Sequence, residues 1–165
     1  SMVCPRQRKV LGHFLAARQA RFGAGMRVSC TASSRDNPRF SRATLSSCPK
    51  EVGMVVAHGN GTQESDASEA AALLRVFGAD MPPVTGFKWS VGHLFAAAGM
   101  LDVAVGLEAC RRKVVPGIMT LDHLADSCKG LNVSKQTRAS RSDVVLVLCR
   151  GFAGTNGALL LRAIQ

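Results

Sequence analysis

Two of the four histidines stand in settings that suit chemistry. His58 sits in Ala57-His58-Gly59-Asn60-Gly61-Thr62, and His93 closes Lys88-Trp89-Ser90-Val91-Gly92-His93. A third cluster, Gly151-Phe152-Ala153-Gly154-Thr155-Asn156-Gly157, is rich in glycine. Each lies at the end of an apolar strand-like run or at the start of a helix-like one, which is where α/β proteins build their sites. A lone histidine on a strand is usually structural. Two histidines, each beside a glycine at a strand–helix junction, point instead to catalysis. Glycine there lets backbone and substrate approach closely.

The elements that must position these residues follow from periodicity. Val10, Leu11, Phe14, Leu15 and Ala17 have helical spacing and predict a helix over Lys9 to Phe22, with Gly23 and Gly25 as the stop. Met26 to Thr31 reads as a short strand, and Ala32 to Lys50 as a loop rich in Ser, Arg, Asn and Pro. Met54 to Ala57 is a buried-type strand, followed by a helix over Asp66 to Phe77 capped near Ser65 or Asp66. Pro83 to Lys88 offers another strand and Gly92 to Arg112 a long helix, in which Ala96, Ala97, Ala98 and Gly99 permit close packing. Val114 to Met119 reads as a third strand and Leu121 to Arg141 as a polar connection. Val144 to Cys149 and Ala158 to Ile164 read as a closing pair of strands across a glycine-rich turn. The expected architecture is α/β, a mixed five-stranded sheet with helices packed on its faces.

Composition sets the frame. With 165 residues, 47% of them hydrophobic, the chain is long enough for one domain with a real core. Aromatics are only 5%, which favours packed α/β layers. The formal net charge of +10 is uneven: residues 1 to 50 carry ten Lys/Arg against Asp36 alone, while the rest is nearly balanced. Such a segment suits nucleic acid, an anionic membrane or an acidic protein, the plain alternatives being a solvated basic surface or a face turned to another part of the protein. A nucleic-acid module would need interleaved aromatics or a known motif, and the sequence has neither. Six cysteines without CxxC spacing suggest neither a zinc site nor a disulfide framework and fit a reducing, cytoplasmic setting. The apolar run Phe95 to Cys110 is interrupted by Asp102 and Glu108, and the start lacks a signal-peptide pattern, so a membrane span and secretion are both disfavoured. Ser1 and Met2 read as a tag-cleavage scar, residues 3–23 as a basic lead helix and residues 24–165 as the main domain.

The four motifs Ala57 to Thr62, Asp66 to Ala70, Lys88 to Gly99 and Gly151 to Asn156 occur in that order. They resemble the A-H-G-T-G-T, D-x-x-E-A, K-S-x-x-G-H-x-x-x-A-A-G and G-F-G-G-T-N motifs in the C-terminal half of the β-ketoacyl synthases, of the thiolase superfamily. The interval of 35 residues between His58 and His93 is also of the family type. The resemblance implies half of a thiolase-like fold and a part in decarboxylative Claisen condensation of an acyl thioester with malonyl thioester, in fatty-acid or polyketide synthesis.

Residue roles are implied position by position. His58 and His93 match the two histidines of a Cys-His-His triad, which donate hydrogen bonds to the enolate oxygen that forms as CO2 leaves. Lys88 resembles the lysine that organises them, Asp102 its carboxylate partner, and Asp66 the acid at the start of the helix, where an N-cap role is the plain alternative. Asn60 and Thr62 fall where pantetheine is contacted. Phe152 resembles a phenylalanine gating acyl access, and Thr155 and Asn156 match the turn that shapes the pocket wall. His58 and His93 should then lie within about 8 Å, near enough to hydrogen-bond one oxygen.

The departures are Asn60 for threonine, Ala153 for glycine, and Asp102 for glutamate, the last expected to loosen the contact with Lys88. The nucleophilic cysteine of the family lies in a D-T-A-C-S-S-like elbow that this sequence lacks; Cys30 and Cys48 have the wrong context. Cys149 stands roughly where thiolases place a second catalytic cysteine, which makes a thiolase-type acyltransferase a further alternative. The resemblance implies no metal and no resident cofactor, the acyl groups riding on the phosphopantetheine of an acyl carrier protein or on CoA. Implied partners are that acidic carrier, steered by the basic segment, and a complementary N-terminal half or partner subunit within an oligomer. The chain alone should be inactive. A non-catalytic partner subunit resembling a chain-length factor is the alternative, against which the intact histidines and lysine count.

Overall fold

The computed structural model describes residues 17–21, 26–33, 49–152 and 156–163. Short, β-branched Met54–Val56 (β3) is buried on both faces, as a strand in the parallel part of a sheet must be. Successive side chains on a strand point to opposite faces. Met54 and Val56 accordingly enter one core, with Val145, Val147 and Leu161. Val55 enters the other, with Leu73, Phe77, Met81 and Val84.

The second core is closed by a helix over Gln63–Phe77 (α1), whose buried residues Glu69, Ala70, Leu73 and Phe77 recur at helical spacing. The first core is closed by a helix over Ala98–Arg111 (α3), which buries Ala98, Asp102, Gly106, Ala109 and Cys110. That stripe is made of small residues, so the helix lies close to the sheet. A Cβ on Gly106 would stand 3.3 Å from Val56 Cγ2 and 3.4 Å from Val147 Cγ2.

Among the described residues the main sheet has six strands. Beside β3 these are Ala17–Arg21 (β1), Met26–Ser33 (β2), Val84–Thr85 (β4), Val144–Arg150 (β7) and Asn156–Ala163 (β8), in the order β1-β2-β8-β7-β3-β4. Strands β4, β3 and β7 are parallel, whereas β7, β8, β2 and β1 are antiparallel neighbours, so the sheet is mixed as expected. Val114–Val115 (β5) and Arg138–Ala139 (β6) form a separate two-stranded sheet. Lys88–Val91 (α2) is a single helical turn before α3.

Three expectations change. The main sheet has six strands among the described residues rather than five, and β5 lies outside it. Of the helix expected over Lys9 to Phe22, the described part, Ala17–Arg21, is a strand, because β2 pairs with β8 along one edge and offers its other edge to this segment. Its remainder lies outside the described residues, as does most of the loop expected up to Lys50. The long helix starts at Ala98, not Gly92, since residues 92–97 turn the chain past the site first. No described helix is long and apolar enough to cross a membrane.

Candidate active site

Strand β3 delivers His58 to the edge of the sheet where its parallel neighbours also end. Ala57 still donates its N–H to Thr85 O at 2.8 Å, and the chain then leaves the sheet. Gly59 and Gly61 take φ of +44° and +83°, left-handed values that glycine reaches without a Cβ clash and that let strand pass to helix through the six residues 57–62. Thr62 is the N-cap of α1, so the cap lies earlier than Ser65 or Asp66, and Asp66 sits inside the first turn with its N–H on Thr62 O at 2.9 Å. Asn60 Oδ1 accepts from both the N–H (3.0 Å) and the hydroxyl (2.9 Å) of Thr62, so these two side chains are tied to one another.

Glu69, a turn further along α1, reaches back under this loop. Its two carboxylate oxygens accept the N–H groups of His58 at 2.8 Å and Gly59 at 3.0 Å. Burial raises the Glu69 carboxyl above its ordinary value; the two N–H donors and Arg150 oppose the rise, and the charge of Asp66 adds to it. Glu69 falls within the D-x-x-E-A match, yet its task is invisible in a residue pattern because its partners are backbone amides.

His93 comes from the other direction. Helix α2 ends at Gly92, whose φ of +74° turns the chain and whose N–H caps Lys88 O at 2.9 Å. The N–H of Phe95 then donates to His93 Nδ1 at 3.0 Å. An Nδ1 that accepts leaves the hydrogen of the neutral ring on Nε2. Phe95 reaches this position at φ +49°, a strained conformation for a residue with a Cβ.

The two imidazoles meet edge to face, with centroids 5.2 Å apart and planes at 75°. They are thus closer than the 8 Å limit that sharing one oxygen sets. His58 is buried and His93 exposed. Burial, then the charges of Lys88, His93 and Arg150, hold His58 down at about 4, so its ring is neutral at neutral pH. Its Nδ1 is buried without a hydrogen-bond partner among the described residues.

Lys88 Nζ lies 2.7 Å from Asp102 Oδ2, and both side chains are almost fully buried. Asp102 is on the small-residue stripe of α3, so the helix carries the shorter carboxylate right up to the amine. The expected loosening of that contact does not occur. Phe152 lies beside the end of β7 and is 92% exposed. Asn156 opens β8, where its Oδ1 accepts from Arg150 Nε at 3.3 Å. Thr155 lies outside the described residues. Cys30 is paired inside β2 rather than set on an elbow, and Cys149 is exposed near the end of β7.

The C-terminal domain of the β-ketoacyl synthases matches residues 30–122, and the chain belongs to this family of condensing enzymes. It is 39% identical over 117 residues to a putative polyketide β-ketoacyl synthase 2 of Streptomyces halstedii, an overlap of 69% of this chain and 28% of that protein. It is 33% identical over 115 residues to 3-oxoacyl-[acyl-carrier-protein] synthase 2 of Coxiella burnetii, covering 68% of this chain and 28% of that one. Among solved structures, the ishigamide ketosynthase/chain length factor superposes with a TM-score of 0.65 at 27% identity, over 70% of this chain and 29% of that chain. The chain therefore spans less than a third of the length of these relatives. The α/β fold is that of the thiolase-like ketosynthases.

Proposed function

We propose that this chain supplies the enolate-stabilising histidines of a β-ketoacyl synthase and that a separate stretch of polypeptide supplies the nucleophilic cysteine. The observation that carries this reading is the His58–His93 pair, at 5.2 Å, beside the buried Lys88–Asp102 ion pair.

The growing acyl group is held as a thioester on that cysteine. Malonyl thioester binds beside it, and the bond between its central carbon and the carboxylate breaks. The electron pair runs into the adjacent carbonyl and CO2 departs. The developing enolate oxygen accepts hydrogen bonds from the neutral ring of His58 and from His93, the latter through Nε2–H. The enolate carbon then attacks the acyl thioester and expels the cysteine thiolate. A donor that stabilises an oxyanion without surrendering its proton must stay neutral, and the buried Lys88 charge beside His58 favours that state. Lys88 and Asp102 thus support the histidines without touching substrate. Asn60, Thr62, Phe152 and Asn156 line the route of the pantetheine arm and the acyl chain, and Asp66 helps to set the first turn of α1.

The name of the Coxiella relative includes an acyl carrier protein, and a carrier of that type is the natural source of both thioesters here. The solved neighbour that pairs a ketosynthase with a chain length factor keeps open a second reading, a partner subunit without catalysis of its own. The intact His58, His93 and Lys88 favour the catalytic one. Condensation assays separate the two: the chain alone should be silent and become active once a polypeptide bearing the cysteine elbow is added. Condensation by the chain alone, lost on mutating any of its own cysteines, overturns the proposal.

A further inference from the structure

We infer that Arg150 is a positioning residue of the histidine site, its guanidinium latching the end of β7 and the start of β8 to the first turns of α1 and so fixing the loop that carries His58. Arg150 is the last residue of β7, two residues before Phe152. Its Nη1 donates to Ser65 O at 2.6 Å and to Ser65 Oγ at 3.4 Å, and its Nη2 donates to Ser68 Oγ at 3.1 Å. Its Nε donates to Asn156 Oδ1 at 3.3 Å, which joins the end of β7 to the start of β8.

One planar fork therefore spans three segments, a geometry that suits arginine and that lysine cannot reproduce. The placement runs against the helix dipole, since a cation at the N-terminus of α1 meets its positive end. Charge attraction to the helix is therefore not what holds Arg150 there; the hydrogen bonds are. Glu69 lies four residues beyond Ser65 and holds the His58 and Gly59 amides, so fixing the first turns of α1 fixes the loop as well. The groups that face His58 are Lys88, His93 and Arg150, with Glu69 beneath the loop and Asp66 beside Glu69.

The inference rests on the histidine pair being the reactive centre, but its test needs no substrate. Amide hydrogen exchange and the ring titration of His58 are followed by NMR in the full chain and in Arg150→Met, Arg150→Lys and Ser68→Ala. In Arg150→Met the His58 and Gly59 amides should exchange about tenfold faster, the amount that the loss of one hydrogen bond's net strength corresponds to. The Val55 and Val147 amides should keep their rates, and the His58 midpoint should rise. Arg150→Lys should restore most of the midpoint but not the slow exchange. Ser68→Ala, an exposed change that keeps the charge, should speed the same two amides to a smaller degree and carries the test if Arg150→Met does not fold. Unchanged exchange at His58 and Gly59, or a uniform rise at every amide, overturns the inference. The reading of the histidines themselves fails separately, through activity of a His58→Ala synthase.

Discussion

Lys88 Nζ and Asp102 Oδ2 stand 2.7 Å apart in the interior, with the amine on the single turn of α2 and the carboxylate on the small-residue stripe of α3. The pair joins two elements and places a fixed positive charge near His58. A buried pair of this kind need not stabilise the fold relative to an apolar pair, but losing one partner strands the other charge.

Asp102→Ala should therefore cost about 3–5 kcal/mol in urea unfolding. The double change Lys88→Met with Asp102→Leu should recover most of that stability. It should not recover malonyl decarboxylation in the complemented synthase, because the charge beside His58 is gone. Full activity in the stable double variant would show that the pair is only structural.

Acid should weaken the chain through His58. Its folded value of about 4 lies below the ordinary histidine value, so between roughly pH 6.5 and 4 the unfolded chain binds the proton that the folded ring refuses. Stability contributed by the neutral ring falls across that window. Glu69 runs the other way: its raised carboxyl binds a proton more tightly in the fold, and stability falls as pH rises through that raised value. Unfolding free energies at pH 4.5 and 7 should differ less in His58→Gln than in the wild type. Equal differences would count against the burial of a neutral imidazole.

The contact of α3 with the sheet should be intolerant of size. Gly106→Leu puts a side chain where even a Cβ stands 3.3 Å from Val56 Cγ2, and overpacking of this kind costs about 1–3 kcal/mol. Thermal unfolding measures it. Because α3 also carries Asp102, the His58 titration should shift in the same variant; a destabilised protein with an unmoved titration would separate packing from the site.

Much of this arrangement was legible in the residues, for physical reasons that differ by element. Helix α1 declares itself through the spacing of Ala70, Leu73 and Phe77, although it starts at Gln63, three residues before the expected Asp66, because Ser65 and Asp66 are cap-type residues that compete with Thr62 in the sequence. His58 and His93 could be paired from their glycine neighbours. Strand β1 could not be read, since the helical spacing from Val10 to Ala17 is a local signal and the pairing of Ala17–Arg21 with β2 is a tertiary one. The separate sheet of β5 is not legible in the sequence, because Val114 and Val115 look like any buried strand, while their partners Arg138 and Ala139 come from a polar connection. The tasks of Glu69 and Arg150 lay hidden for a common reason: most of what they hold is backbone or a neighbouring serine, brought near only by the fold.

The rate of malonyl thioester decarboxylation in the complemented synthase, compared between wild type, His58→Ala and His93→Ala, tests the central claim most directly. If both imidazoles hold the enolate oxygen, each single change should slow decarboxylation by about 10²-fold or more while acyl transfer to the cysteine persists. Decarboxylation at the wild-type rate in either variant would contradict the account.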